Sequence, residues 1–303
     1  MRQILLVLLT AFLLFGCFGI GGGGTGSAGQ TGTPQLPGTT PPVEQCSPSY
    51  SFSELGDGML SKTATIVATV TCAAGKELTV SLDGKVVKTT SVDTNATTPV
   101  TLEFAPTKDG TVSVEVKSGG ESVFSRDWNV KPLGNENTIG LETDGVSFKE
   151  WRAMAVDVEN TITPGRIRAF MKRMSFQTQP STTLIVEMRS DNNGNPGNVV
   201  ASVTKPFTVV TQTENWINFD FDSKPTLAPG KYWIVFKVQQ TEDVNLVSDV
   251  AYVHYVSVDK QAPGNDYTRE MKLSVNEQTG FASETSWQPL SYDREYSVIL
   301  TSD

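Results

Sequence analysis

Histidine occurs once in 303 residues, at His254, and cysteine only three times. A lone imidazole removes the commonest proton shuttle and the commonest metal ligand from any constellation of several residues. It also leaves no ready base for thiol catalysis. Charged residues are scarce, at 19%, and cations are outnumbered 24 to 33, for a formal charge of −9. A chain this acidic is a poor partner for phosphate backbones, which argues against nucleic acid. Hydrophobic residues reach only 38%, low for one compact globule, so part of the chain reads as linker. Helix periodicity is nearly absent. No Gly-x-Ser-x-Gly elbow, phosphate-cradling Gly-Lys-Ser/Thr loop or His-Glu-x-x-His pair occurs, and no catalytic activity is expected.

What the sequence does have begins with an export signal. Arg2 opens it, and Ile4 to Phe15 is apolar apart from Thr10. That run suits a signal-peptide core and is short for a membrane span, which needs about 20 residues. It ends in Leu14-Phe15-Gly16-Cys17, which resembles the lipobox of bacterial and archaeal lipoproteins. The resemblance implies cleavage after residue 16, lipidation of Cys17, and display on the extracellular face of the cell envelope. The alternative reading of the same residues is an uncleaved anchor running to Ile20. In both readings the membrane is a partner of the chain.

Residues 17–45 then form a linker in which glycine, threonine and proline dominate and no apolar period is present. Such a stretch buries too little surface to offset its ordering entropy. Its glycines make the start flexible and its later prolines stiffen the end. With Cys17 assigned to the lipid, Cys46 and Cys72 remain. An even remainder in an exported chain reads as one disulfide. It closes a loop of about 26 residues, for which chain entropy gives roughly 3 to 4 kcal/mol.

Residues 46–132 alternate short strands with turn signals. Thr63 to Cys72 is β-branched. Glu77 to Leu82 passes through Asp83-Gly84 into Lys85 to Val92, Val100 to Phe104 leads through Lys108-Asp109-Gly110 into Thr111 to Lys117 as another pair, and Gly119-Gly120 turns the chain into Glu121 to Val130. Six or seven strands in this length predict a β-sandwich with Trp128 in its core. The stretch resembles bacterial and archaeal Ig-like surface domains. Asn95-Ala96-Thr97 is an N-glycosylation sequon expected in an exposed loop.

Residues 137–303 predict a larger, two-sheet jelly roll. Its strands are expected at 152–158, 166–176, 182–189, 199–204, 216–221, 231–238, 250–256, 271–275 and 296–300. The strand ending at Asp191, the turn Gly194-Asn-Pro-Gly197, and the runs Trp216 to Phe221 and Leu227 to Phe236 resemble choice-of-anchor and carbohydrate-module-like domains. The resemblance implies a jelly-roll fold, a surface setting and a glycan or envelope component as ligand. The fold class read from sequence is therefore all-β: an Ig-like sandwich followed by a jelly roll.

Three groups of residues invite chemistry. Asp191-Asn-Asn193-Gly-Asn195 places oxygen side chains as a calcium loop does. However, Pro196 stands where an EF-hand needs glycine, and Ser202 stands where it needs glutamate. A polar hairpin tip is the expected structure. A structural calcium ion is instead open to Glu142, Asp144 and Asp293, if the domain's termini converge. Trp151, Trp287 and Tyr292 lie in polar surroundings and suit a sugar-stacking face, whereas Trp216 and Trp233 are expected to fill the core. The function expected is a surface lipoprotein displaying a glycan- or envelope-binding module. The alternative is an adhesin-like structural protein that contacts neighbouring proteins without a dedicated ligand.

Overall fold

The computed structural model describes residues 46–136, 142–147, 150–174, 182–239, 250–257, 268–272, 274–275, 282–283, 286–290 and 294–303. The expected signal peptide, Cys17, the linker, Tyr292 and Asp293 lie outside them. Cys46–Asp303 forms one unit, all-β apart from a single 3-10 turn at Phe207–Val209 among the described residues.

The first sandwich runs through β1 (Ser49–Phe52), β2 (Gly58–Met59), β3 (Ala64–Thr71), β4 (Lys76–Leu82), β5 (Lys85–Val92), β6 (Thr98–Phe104), β7 (Gly110–Ser118) and β8 (Glu121–Lys131). Its sheets have the orders β1-β3-β6 and β2-β8-β7-β4-β5. Two of the three hairpins expected from sequence are present. Val100–Phe104 and Thr111–Lys117 do not pair, because the chain crosses between sheets at Lys108-Asp109-Gly110, so that β6 lies on β3 and β7 between β4 and β8. Asp83-Gly84 has φ of 48° and 79°, and Gly119-Gly120 has φ of 56° and 92°. Positive φ at both central residues matches the twist of the strands each turn joins. Alternate residues, among them Ile66, Val80, Leu102, Val114 and Trp128, fill one core. The Trp128 indole lies against Phe104 and donates to Gly56 O at 2.7 Å.

Cys46 and Cys72 are joined, with Cα atoms 5.6 Å apart. The bridge ties the chain just before β1 to the end of β3, its antiparallel neighbour. Replacing both cysteines with serine is expected to lower the melting temperature by several degrees, as about 2 to 4 kcal/mol implies. Calorimetry of the non-reduced protein checks this, and free thiols at Cys46 and Cys72 in the denatured, non-reduced exported protein would contradict the bridge.

The second sandwich comprises β9 (Leu133–Gly134), β10 (Glu142–Val146), β11 (Glu150–Val158), β12 (Arg166–Met174), β13 (Thr183–Asp191), β14 (Pro196–Pro206), β15 (Asn215–Asp220), β16 (Gly230–Gln239), β17 (Val250–Ser257), β18 (Thr268–Lys272), β19 (Ser274–Val275), β20 (Ala282–Ser283), β21 (Gln288–Pro289), β22 (Arg294–Tyr296) and β23 (Val298–Thr301). One sheet has the order β14-β13-β16-β11-β18-β21. The other runs β10-β17-β12-β23-β9, with β15 also on β12 and β22 on β17. Each strand expected from sequence has a counterpart here. Between the sheets lie Val156, Ile167, Met171, Val186, Phe219, Ile234, Phe236 and Leu300.

The two tryptophans expected in this core are not there. Trp216 shares the outer side of β15 with exposed Asn218 and Asp220, while Ile217 and Phe219 face inward. Trp233 is fully buried, but on the opposite face of its sheet, with Ala153, Ala155 and Val235. Every residue from Tyr232 to Phe236 is apolar, so period two alone cannot assign which side of β16 faces the core.

The sandwiches are clasped together. Leu60, which follows β2, is completely buried in the core of the second sandwich rather than the first. Ser61, also fully buried, sits at φ 72°. Its hydroxyl accepts from Glu159 N at 2.8 Å and Asn160 N at 3.1 Å, and Asn160 Nδ2 donates to Ser61 O at 2.9 Å. Lys62 pairs with Glu159 at 2.8 Å and, with the Thr63 amide, holds that carboxyl below its ordinary pKa. A second clasp joins Asp109 to Ser302. Asp109 Oδ1 accepts from Ser302 N at 2.6 Å and from Ser302 Oγ at 2.7 Å.

Candidate functional site

The outer face of the six-stranded sheet is built by three neighbouring strands. Strands β13 and β11 flank β16, and their registers place Glu187 and Ala153 on either side of Val235. One residue pair along, Arg189 and Ala155 flank Trp233. On β13, Val186 and Met188 face the core, which sends Glu187, Arg189 and Asp191 to the other side by strand alternation. On β16, Trp233, Val235 and Lys237 share that side. On β11, Trp151, Ala153 and Ala155 do so.

These groups form a buried charged cluster. Glu187, Arg189 and Lys237 are each 8% exposed. Glu187 Oε2 accepts from Arg189 Nε at 2.6 Å, and Oε1 accepts from Lys237 Nζ at 2.8 Å. The Lys237 ammonium also lies 4.1 Å from the centroid of the Trp151 ring, a cation–π contact strengthened by partial removal from water. Trp233 Nε1 donates to Asp191 Oδ1 at 2.7 Å. Trp287 packs against the apolar floor of Ala153, Ala155, Trp233 and Val235.

Trp151 and Trp287, read from sequence as ligand contacts, therefore share this face, and both remain partly exposed. The Trp151 indole N–H is buried and has no hydrogen-bond acceptor among the described residues. A buried donor of this kind costs free energy unless a ligand or water completes it. Sequence reading did not single out Glu187, Arg189 or Lys237. The alternation Val186-Glu187-Met188-Arg189 marks a polar side of β13, but nothing in the sequence pairs it with Lys237, fifty positions later.

Of the three acids expected to hold calcium, Asp144 alone has a described side chain. Asp144 is buried; its Oδ1 lies 3.2 Å from Arg152 Nε and its Oδ2 accepts from Tyr296 Oη at 2.5 Å. One carboxylate oxygen thus serves an ion pair that links the two sheets, and the other a tyrosine hydroxyl of its own sheet. The side chain of Glu142 and the whole of Asp293 lie outside the described residues. Among those described, no three His, Cys, Asp or Glu side chains are grouped to hold a metal.

The Asp191–Asn195 segment is a tight hairpin tip. Asn193 and Gly194 have φ of 52° and 79°, and Gly194 N donates to Asp191 Oδ2 at 3.1 Å. Asn95 is exposed, in a loop where its Oδ1 accepts from Ala74 N at 3.0 Å.

No family model matches the chain, and no curated protein sequence matches it. Several solved structures are similar to it, two of them as follows. A crystal structure of tripeptidyl peptidase 2 (TPP II) has 9% identity and a TM-score of 0.21, covering 71% of this chain and 21% of that one. A structure described as the basis for promiscuous specificity in carbohydrate-binding modules of the β-sandwich superfamily has 14% identity and a TM-score of 0.19. It covers 69% of this chain and 96% of its own. The chain thus spans about a fifth of the peptidase. With TM-scores this low, neither similarity bears on ligand or activity.

Proposed function

We propose that the chain is a lipid-anchored cell-surface protein, attached through Cys17, which binds glycan on the outer face of the six-stranded sheet and catalyses no reaction. The observation that carries the binding site is the Trp151 indole N–H, which has no acceptor among the described residues, on the same face as Trp287. A sugar offers an apolar C–H face to the rings and hydroxyl acceptors to such a donor. Lys237, held by Glu187, fixes the Trp151 ring from one side, so the platform is set before a ligand arrives. Preorganisation of this kind reduces the ordering cost of binding.

Binding of the full chain to a glycan array, with and without calcium, tests the reading. Trp151→Phe keeps a ring and deletes the donor, and is expected to weaken binding by up to about tenfold. Trp287→Ala should lose a comparable factor through stacking. Absence of signal on every glycan would eliminate the sugar reading. Cross-linking in intact cells that traps one protein partner, unreleased by free sugar, would favour the adhesin-like alternative.

A further inference from the structure

The second sandwich carries a different set of aromatic and basic groups on the outside of its other sheet. Strand β12 reads Arg-Ile-Arg-Ala-Phe-Met-Lys-Arg-Met, four cations and no acid, in a chain of formal charge −9. Ile167, Ala169 and Met171 enter the core, so Arg166, Arg168, Phe170 and Lys172 line the outer side. The register with β15 sets Arg166 opposite Asp220, Arg168 opposite Asn218 and Phe170 opposite Trp216.

Two of the three cations in this row are neutralised. Arg166 pairs with Asp220, whose carboxyl it holds below the ordinary range, and Lys172 pairs with Glu214 at 2.7 Å. Arg168 differs. Its Nε donates to the neutral amide of Asn218 at 3.1 Å, and its guanidinium lies 5.2 Å from the centroid of Trp216. No carboxylate among the described residues pairs with it. Trp216 in turn lies 5.5 Å from the Phe170 ring, at 54°. A half-exposed pair of rings thus adjoins one guanidinium with its terminal nitrogens open, bracketed by two closed ion pairs.

We propose that this face is a second binding site, separate from the Trp151–Trp287 face, and takes an acidic polysaccharide. A uronate ring lies along Trp216 and Phe170, and its carboxylate takes the open edge of Arg168. The guanidinium fork suits a planar carboxylate bidentately, and the cation–π contact holds it in place. One open cation per ring pair matches a polymer bearing one charge per sugar.

Affinity electrophoresis of the full chain through gels containing polygalacturonate tests this, with fully methyl-esterified polymer as the uncharged control. Wild type is expected to be retarded by polygalacturonate, less so as salt rises. Arg168→Gln should weaken binding about tenfold, to the level of wild type on the methyl ester. Trp216→Leu should weaken both, while Trp151→Phe should change neither. Arg168→Lys, which keeps the charge and loses the fork, should fall between wild type and Arg168→Gln. Absence of retardation by polygalacturonate would overturn the proposal, as would an Arg168→Gln variant that binds like wild type. Equal retardation by polyglutamate, unchanged in Trp216→Leu, would also overturn it, by showing an acidic peptide site instead. Since the variants lie on different sheets, failure here and failure of the Trp151–Trp287 reading give different patterns.

Discussion

Replacing Glu187 with alanine is expected to destabilise residues 46–303 by about 3 to 5 kcal/mol, the range for breaking a buried ion pair by removing one partner. Glu187 satisfies two buried cations at once, Arg189 at 2.6 Å and Lys237 at 2.8 Å. Its loss removes the carboxylate that both cations share, in a site where each residue is 8% exposed. For a unit this large the melting temperature should fall by on the order of 10 °C. The companion experiment replaces Glu187, Arg189 and Lys237 together with apolar residues of similar size. Buried ion clusters are often replaceable in this way at little cost, so much of the stability should return. Glycan binding should not, because Lys237 no longer supports the Trp151 ring. A triple variant that binds as wild type would show that the cluster serves folding alone. Thermal denaturation and array binding on the same samples give both readouts.

Leu60→Ala is expected to cost about 2 to 5 kcal/mol, as truncating a fully buried leucine does when the site cannot collapse. The effect should appear in the wrong place for a residue that follows β2. Leu60 is part of the second core, packed with Leu133 and the residues of that sandwich, and the Ser61 clasp comes directly after it. Urea unfolding followed separately at the Trp128 indole (first core) and the Trp233 indole (second sandwich) should show both midpoints shifting together. A shift at Trp128 with none at Trp233 would mean that the two sandwiches do not share this side chain energetically.

Much of this architecture was legible in the sequence. Period-two patterns and turn dipeptides placed the strands, and Asp83-Gly84 and Gly119-Gly120 occupy the hairpin turns for which their backbone freedom suits them. The parity of the cysteines indicated the Cys46–Cys72 bridge. Less legible was which side of a strand faces inward. On β15, alternation does set Trp216 in the same row as Asn218 and Asp220, so the outward position was available from period two; the size of the ring suggested the core instead. On β16 no such signal exists, because Tyr232 to Phe236 are all apolar and the last four are buried on both sides of the sheet. The joint between the sandwiches left no trace either, since nothing in Met59-Leu60-Ser61 assigns Leu60 to the second core and the partners of Ser61 lie some hundred residues away. The charged cluster illustrates the same limit. Glu187 and Lys237 meet only because β13 and β16 are hydrogen-bonded neighbours, and that pairing is a property of the folded sheet.

Five indole N–H resonances report on all of these positions in one heteronuclear NMR spectrum. Trp128 and Trp233 donate to Gly56 O and Asp191 respectively and should stay fixed when a glycan that the array identifies is added. The Trp151 resonance should move most, because its donor gains an acceptor, and the Trp287 resonance should move with it. A titration in which a bound glycan leaves Trp151 and Trp287 unchanged would contradict the assignment of the binding site to the outer face of the six-stranded sheet.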